Sequence, residues 1–215
     1  MAPAPVPVRL LRSALGMEEE GLDDSLADAI SELERLSLAE LDEEEDPSIH
    51  RLVRSFVLHI TPPEESLRGP VAEALVREMR RVEDAADTRA YRELEPLLPH
   101  AKILARAEGV DTEQKVSLWG SIGWQHGNHG RYVAGKAARA HSLREAEASF
   151  EPGHPSIAGS QSNLALVLKD LGELEEARDL SRKAYRSLHD KLGPNHSSTS
   201  RALGNLRSVG GEAAD

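Results

Sequence analysis

Cysteine is absent from the 215 residues of this chain, and aromatic residues make up only 3% of it. Disulfides, thiolate zinc sites and cysteine nucleophiles are therefore excluded, and we expect a reducing compartment, the cytoplasm. The apolar residues are mostly Leu, Ala, Val and Ile, which favours closely packed helices over an aromatic-rich sheet. No segment approaches the roughly 20 consecutive apolar residues that a membrane-spanning helix needs. We expect a mainly α protein that does not span a membrane.

Negative charge is concentrated at the start of the chain. Residues 1–62 contain 14 Asp and Glu but only 5 Arg, and the net charge of the whole chain is −11. Because each contact with a phosphate backbone needs a Lys or Arg, this segment is a poor candidate for nucleic-acid binding. The acidic runs Glu18–Glu20 and Asp42–Asp46 are most simply solvated loops, and the alternative is that they contact a basic partner.

An internal repeat with a period of 42 residues runs through the second half of the chain. Within the best copy, Pro155 opens a helix that Gly172 ends, and a second helix follows from about Glu173 until Gly193. Each copy is therefore predicted to be a helical hairpin. Among the residues that are identical at this shift are His154 and His196, Asn163 and Asn205, and Leu164 and Leu206.

The best copy reads EPGHPSIAGSQSNLALVLKDLGELEEARDLSRKAYRSLHDKLGPNHSSTS. It resembles tetratricopeptide repeats of the kinesin-light-chain type, whose units run from a Gly-x-x-His-Pro linker through an Asn-Leu-Ala helix to a Gly-x-hydrophobic-x-x-Ala helix. The resemblance implies an α-solenoid of helical hairpins. Gly135 stands where Ala is usual, and small residues such as Gly123, Ala165 and Ala177 predict a close approach of helices. The predicted stack covers residues 111–215, with repeats at 113–150 and 154–192 and a half repeat at 197–209.

Residues 63–110 contain two further predicted helices without a clear repeat signature. We interpret them as a divergent leading hairpin that covers the open end of the stack. Pro96 and Pro99 should kink or interrupt the second of these helices.

Residues 1–62 are predicted to form a separate module of helices and a small strand hairpin. The strands are expected at Ala39–Leu41 and Ser48–His50, and the helices near Val8–Leu15, from Asp23 or Asp24, and from about Arg51 to His59. The phrase ELERLSLAELDEEEDPSIHRLVRSFV resembles the winged helix that follows the nucleotide-binding domain in bacterial NB-ARC–tetratricopeptide proteins, which are signal-transduction NTPases. The resemblance implies a partial winged helix in the C-terminal half of such a regulator, without the nucleotide-binding domain.

Two local patterns resemble cofactor sites but are better explained otherwise. The stretch GRYVAGKA comes within one residue of a P-loop, yet Ala137 lacks the hydroxyl that would hold magnesium, and no strand is expected before it. His126 and His129 have a spacing found in zinc sites, and His141 could lie nearby, but no Cys or reliably placed carboxylate completes four ligands. We expect no cofactor and no metal, and no enzyme activity because no catalytic constellation stands in a convincing context.

The predicted binding site is the groove lined by the first helices of the stacked hairpins. Residues one repeat apart are expected to face the same ligand there. Asn163 and Asn205 are such a pair, and Ser121 lies at the matching place one unit earlier. An Asn side chain can donate to and accept from a peptide backbone, and in kinesin-light-chain-like repeats this Asn contacts the ligand backbone. The alternative is that the two Asn residues only bond neighbouring helices. On or beside the same surface, with Trp124 as an apolar anchor, we expect Trp124, Leu166 and Lys169.

Two functions of different class remain open on these patterns. The first is a protein-interaction scaffold, the ligand-sensing end of a signal-transduction NTPase, which binds a protein or peptide in the groove. The second is a transcriptional regulator that binds DNA through the winged helix. The helix at residues 23–36 carries five acidic residues against Arg35 alone, which opposes entry into a DNA groove. The interaction function is therefore preferred, with no nucleic-acid partner.

The final half repeat has a first helix but no second helix to cover it. Leu203 and Leu206 should therefore be partly open, and repeat arrays normally end in a polar cap. We expect self-association, as a homo-oligomer, or a partner protein to cover this end.

Overall fold

The fold is given by a computed structural model, which describes residues 24–35, 39–41, 47–49, 65–85 and 94–210. The chain divides into two compact units, Met1–Val110 and Asp111–Asp215. The described residues form eight helices and one pair of strands. This architecture confirms the mainly α fold expected from the composition.

The first unit begins, in its described part, with helix α1 (Asp24–Arg35) and the strands β1 (Ala39–Leu41) and β2 (Pro47–Ile49). The strands are antiparallel, with Ala39 opposite Ile49, so the predicted strand hairpin is present and its second strand starts one residue earlier than expected. The helices predicted near 8–15 and 51–59 lie outside the described residues. The winged-helix assignment therefore stays a prediction.

Two helices follow in the same unit, α2 (Glu65–Ala85) and α3 (Leu98–Leu104). Pro99 lies in the first turn of α3, where its missing N–H breaks no helical hydrogen bond. Before it, Leu97 N donates to Leu94 O at 3.1 Å in a tight turn, so the predicted helix is interrupted and shortened. The two helices contact each other and bury Ala72, Leu75, Met79, Val82, Leu94, Leu97, Leu98 and Ala101.

The second unit is a row of helices in two layers. Its elements are α4 (Thr112–Asn128), α5 (Tyr132–Ser149), α6 (Pro155–Asp170), α7 (Leu174–Leu192) and α8 (Ser197–Ser208). Helices α4 and α5 form one hairpin, and α6 and α7 form the next. Helix α6 contacts both α4 and α8, and α5 and α7 each contact the first helix of the following repeat. The first helices therefore lie side by side in one layer and the second helices in the other, which is the predicted α-solenoid.

The hairpins of the second unit share a continuous apolar core. Its larger part spans α5, α6, α7 and α8, so that α8 is packed into the stack and does not hang from its end. Tyr185 packs against this part and also against a smaller cluster of Ala158, Ala184, Leu188 and Ala202. The larger cluster consists of Leu143, Ala146, Ile157, Leu164, Ala165, Leu168, Ala177, Leu206 and Val209.

The two helices of the first hairpin cross at glycines. A Cβ added to Gly123 would lie 3.2 Å from the Gly135 carbonyl oxygen, and a Cβ added to Gly135 would lie 3.2 Å from the Gly123 carbonyl oxygen. One repeat later the same two positions are Ala165 and Ala177, both fully buried. The small residues identified in the sequence therefore mark the points where helices approach most closely.

We predict that Gly123→Ala lowers the free energy of unfolding by about 1–3 kcal/mol, the usual cost of overpacking. The added methyl group would lie 2.5 Å from Arg139 Cγ as well as close to the Gly135 carbonyl. Gly127→Ala is the matched control in the same helix, because nothing lies within 4 Å of its added Cβ, and it should gain up to about 1 kcal/mol of helix propensity. Urea unfolding measures both. Equal effects of the two variants would contradict a close crossing at Gly123.

Histidines occupy the N-cap positions of two of the repeat helices. His154 Nδ1 accepts a hydrogen bond from Ser156 N at 3.2 Å, and His196 Nδ1 accepts one from Ser198 N at 3.1 Å. Each imidazole thus satisfies one of the unpaired N–H groups in the first turn of its helix. The repeated His is therefore a helix cap.

Replacement of either cap by Ala should cost about 0.5–2 kcal/mol of stability, while Asp, a better cap, should restore it. His154 also stacks on Phe150 with ring centroids 4.3 Å apart, and His196 makes no such ring contact with the described residues. The rescue by Asp should therefore be complete at 196 and partial at 154. Thermal unfolding of the four variants tests this, and a failure of Asp at 196 would show that the cap bond is not the source of the stability.

The expected opening at the end of the stack is only partly present. Leu206 is fully buried, and Val209 is 3% exposed, so the prediction of a partly open Leu206 is wrong, while Leu203 is half-buried. The reason is that α8 packs its apolar side onto both α6 and α7 and needs no second helix of its own to cover that side. Leu206 therefore offers no exposed apolar area for self-association.

Candidate protein-binding surface

Each first helix leaves one stripe of residues open to solvent. On α6 this stripe is Gly159, Asn163, Leu166 and Asp170, spaced by three and four residues as on one face of a helix. Because α4, α6 and α8 lie side by side, their stripes join into one surface, which we call the first-helix surface. It comprises the α6 stripe with Ser117, Gly120 and Trp124 on α4, and Arg201, Asn205 and Ser208 on α8.

The two repeated Asn residues have different environments. Asn163 is exposed in the middle helix of the surface and makes no side-chain hydrogen bond with another described residue. Asn205 is half-buried, and its Nδ2 donates to Ser162 Oγ on α6 at 2.8 Å. Asn205 therefore ties two neighbouring helices together, which was the alternative considered for both residues, whereas Asn163 is available to a ligand.

Ser121 does not reach the first-helix surface. It is only 5% exposed, although it occupies the position that corresponds to Asn163 one repeat earlier. A serine hydroxyl extends less far from the helix axis than an asparagine amide, so at this position it ends below the surface. The prediction that Ser121 faces the ligand is corrected accordingly.

The three other predicted residues lie at the surface. Trp124 and Leu166 are half-buried on α4 and α6, so each still presents apolar area to a ligand. Lys169 is half-buried as well, and its Nζ lies 3.9 Å from Asp170 Oδ1, a separation at the limit of an ion pair. Of the predicted set, the structure thus brings Asn163, Leu166 and Trp124 together as exposed or partly exposed groups on adjacent helices.

Gly159 adds an unoccupied space beside Asn163. Nothing lies within 4 Å of a Cβ built on this glycine, so intramolecular packing does not require it. A glycine inside a helix costs roughly 1 kcal/mol relative to alanine. Gly159 was not among the predicted site residues, although a glycine inside the first helix of the best-matching repeat was a signal for it.

The P-loop-like stretch lies on two helical elements. It begins at the turn after α4 and continues into the first turns of α5, so Lys136 lies within a helix and pairs with Glu173. That hydrogen bond raises the pKa of Lys136 above its ordinary value, with a further contribution from the charge of Glu176. The lysine thus links the two hairpins, and no described strand precedes it as a P-loop would need.

Two of the three histidines considered as metal ligands, His129 and His141, contact other side chains. His141 stacks on Trp119 with ring centroids 4.6 Å apart, and His129 Nε2 lies 3.0 Å from Gln125 Nε2. Within the described ranges, no three His, Cys, Asp or Glu side chains are grouped as ligands for a metal ion. Nor is any helix of that part of the chain long and apolar enough to cross a membrane.

Comparison with known families identifies the helical repeat. Residues 157–198 match the family model of the tetratricopeptide repeat. This segment is a tetratricopeptide repeat. The match covers α6, α7 and the start of α8. Repeats of this kind generally bind proteins or peptides, so the fold supports a protein-interaction scaffold.

A solved structure of similar fold is that of BtubC (BKLC) from P. vanneervenii. The TM-score is 0.54 at 15% sequence identity, and the similarity covers 93% of this chain and 65% of that chain. The present chain therefore spans less than two thirds of the length of that protein. At this identity the likeness shows the fold alone.

We predict that Asn205→Ala and Ser162→Ala each destabilise the fold, because each breaks the bond between α6 and α8. The coupling between the two changes in a double-mutant cycle should be about 0.5–1.5 kcal/mol, the net contribution of a single hydrogen bond. Asn163→Ala is the matched control, since it removes the same side chain one repeat earlier and should leave the melting temperature nearly unchanged. Additive effects of Asn205→Ala and Ser162→Ala would contradict the bond.

Proposed function

We propose that the second unit binds an extended segment of a partner protein across the first-helix surface, as the ligand-sensing region of a signal-transduction NTPase. The observation that carries the proposal is the exposure of Asn163 in the middle of the layer of first helices, with Gly159 and Leu166 next to it. The NTPase context is supported by the sequence resemblance alone.

The chemistry of this surface suits a peptide backbone. The Asn163 amide can donate one hydrogen bond to a backbone carbonyl and accept one from a backbone N–H, whatever the side chains of the ligand are. The open space at Gly159 allows the backbone to come close to α6. Trp124 on α4 and Leu166 on α6 occupy the same position in successive repeats and offer apolar area. Aromatic residues commonly act as anchors at protein interfaces.

The width of the layer limits the length of the bound segment. Packed helices lie about 8–10 Å apart, so three adjacent first helices span about 16–20 Å between the outer axes. An extended chain rises about 3.3 Å per residue, and about five or six residues therefore cross the surface. A short linear motif of this length fits the proposal.

DNA binding by the first unit is not favoured by the described side chains. The exposed residues of α1 include Asp28, Glu32 and Glu34, and the Arg35 guanidinium is bonded to both carboxylate oxygens of Glu32. This hydrogen bond lowers the pKa of Glu32 and raises that of Arg35. Arg35 is the sole basic side chain in the described part of this helix, and a phosphate would have to compete with Glu32 for it.

The test separates binding from folding. We expect Asn163→Ala to weaken binding of a partner recovered from the native host by about three- to tenfold, corresponding to one hydrogen bond of about 0.5–1.5 kcal/mol. Gly159→Ala should weaken binding too, yet it should raise the melting temperature because alanine is the better helix former. Calorimetric titration and thermal unfolding of the same samples measure both quantities. Unchanged affinity in the two variants would remove the first-helix surface from the site.

A further inference from the structure

Positive charge is concentrated at the C-terminal end of the stack. Residues 174–210 contain seven Arg and Lys against four Asp and Glu, a net charge of +3 with His neutral, although the whole chain carries −11. This segment comprises α7 and α8. A basic region inside an acidic protein attracts acidic ligands and repels basic ones.

Several of these charges share one side of the end of the stack. Arg178 Nε donates to Val209 O at 3.0 Å, so this side of α7 faces the end of α8. Arg182 follows one helical turn later on the same side, and Tyr185 the next. We call this region the end face. It consists of Arg178, Arg182 and Tyr185 on α7, and Ser200, Leu203 and Arg207 on α8.

The end face combines free charge with apolar area. Arg207 is exposed and makes no hydrogen bond or ion pair with the other described residues. Arg182 pairs with Asp179 at 3.1 Å, and Arg178 pairs with Glu175 at 2.6 Å. Leu203 and Tyr185 are half-buried. A ligand on this face therefore meets guanidinium groups around two partly exposed apolar side chains.

A further tetratricopeptide hairpin does not fit this face in the geometry of the earlier repeats. Arg207 occupies the position of Ala165 and Gly123, one and two repeats earlier. In the first hairpin that position crosses the second helix so closely that even a Cβ would clash with it. An arginine there keeps a following helix away, so another copy of the repeat is not the occupant.

We propose that the end face binds an acidic segment of a partner protein that also carries a large apolar side chain. Carboxylates would accept hydrogen bonds from Arg207 and from Arg182 in competition with Asp179, and charge-assisted bonds of this kind are among the stronger hydrogen bonds in proteins. The apolar side chain would cover Leu203 and Tyr185. A nucleic acid also carries negative charge, but its phosphates would leave Leu203 and Tyr185 uncovered, so an acidic peptide with an apolar side chain fits this face better.

The test uses two synthetic peptides and three single variants of the full chain. One fluorescent peptide repeats Glu-Glu-Leu, and its control repeats Gln-Gln-Leu. The Glu peptide should bind and should lose affinity as salt increases, whereas the Gln peptide should bind at least about tenfold more weakly. Fluorescence anisotropy measures both affinities.

The variants locate the contact. Arg207→Gln should weaken binding of the Glu peptide by about tenfold, the effect of one lost charge-assisted hydrogen bond. Lys183→Gln is the matched control: it removes one exposed charge from α7 but points about 100° away from Arg182 around the helix, so it should change the affinity less than twofold. Asn163→Ala should have no effect, which separates this face from the first-helix surface.

Three outcomes would overturn the proposal. The first is equal binding of the two peptides, since the affinity would then not depend on the negative charge of the ligand. The second is an equal loss in Arg207→Gln and Lys183→Gln, because the attraction would then come from the net charge of the segment and not from the end face. The third is tighter binding of a DNA duplex than of the Glu peptide.

Discussion

The close crossing of the two helices in each hairpin is the constraint on which the stack depends. Helices that cross at Gly123 and Gly135, or at Ala165 and Ala177, bring their backbones near enough for the flanking leucines to interdigitate. In α8 the same position is occupied by Arg207. The distance at which the two helices of a hairpin can pack is thus limited by the size of the side chain at this position.

This packing also determines which polar groups are used internally. Ser142 Oγ on α5 donates to Val116 O on α4 at 2.9 Å and lies 3.2 Å from Ser160 Oγ on α6, so three helices meet at one buried hydroxyl. The bond between Asn205 and Ser162 joins the next pair of first helices. Hydrogen bonds and small residues inside the stack thus hold the helices in register. Asn163 on the outward stripe of α6 makes no side-chain hydrogen bond with another described residue.

The sequence predicted the repeat better than it predicted the roles of its polar residues. Gly172 and Gly193 fixed the helix ends to within about a residue, because glycine after a helix is a local signal that depends on few neighbours. The role of Asn205 depends on the orientation of its side chain toward Ser162 on another helix. The 42-residue period of the repeat does not predict that orientation. The prediction for Leu206 was wrong because it assumed that only a second helix of the same repeat could bury the apolar side of α8. In the structure, α8 buries that side on α6 and α7. His154 and His196 were recognised as a repeated pair, and their position just before a helix was the signal for a cap.

Two surfaces on one stack would recognise a partner by different physical means. The first-helix surface offers an amide, apolar side chains and few unpaired charges, so main-chain hydrogen bonding there tolerates many ligand sequences and depends little on salt. The end face offers guanidinium groups whose attraction falls as ionic strength rises. Both surfaces include residues of α8, since Arg201 and Ser208 lie on the first and Leu203 and Arg207 on the second. A ligand that contacts one surface is therefore held near the other, and the second contact becomes effectively intramolecular. Selectivity for acidic partners would then come from the end face, while the first-helix surface adds affinity without narrowing the range of accepted sequences.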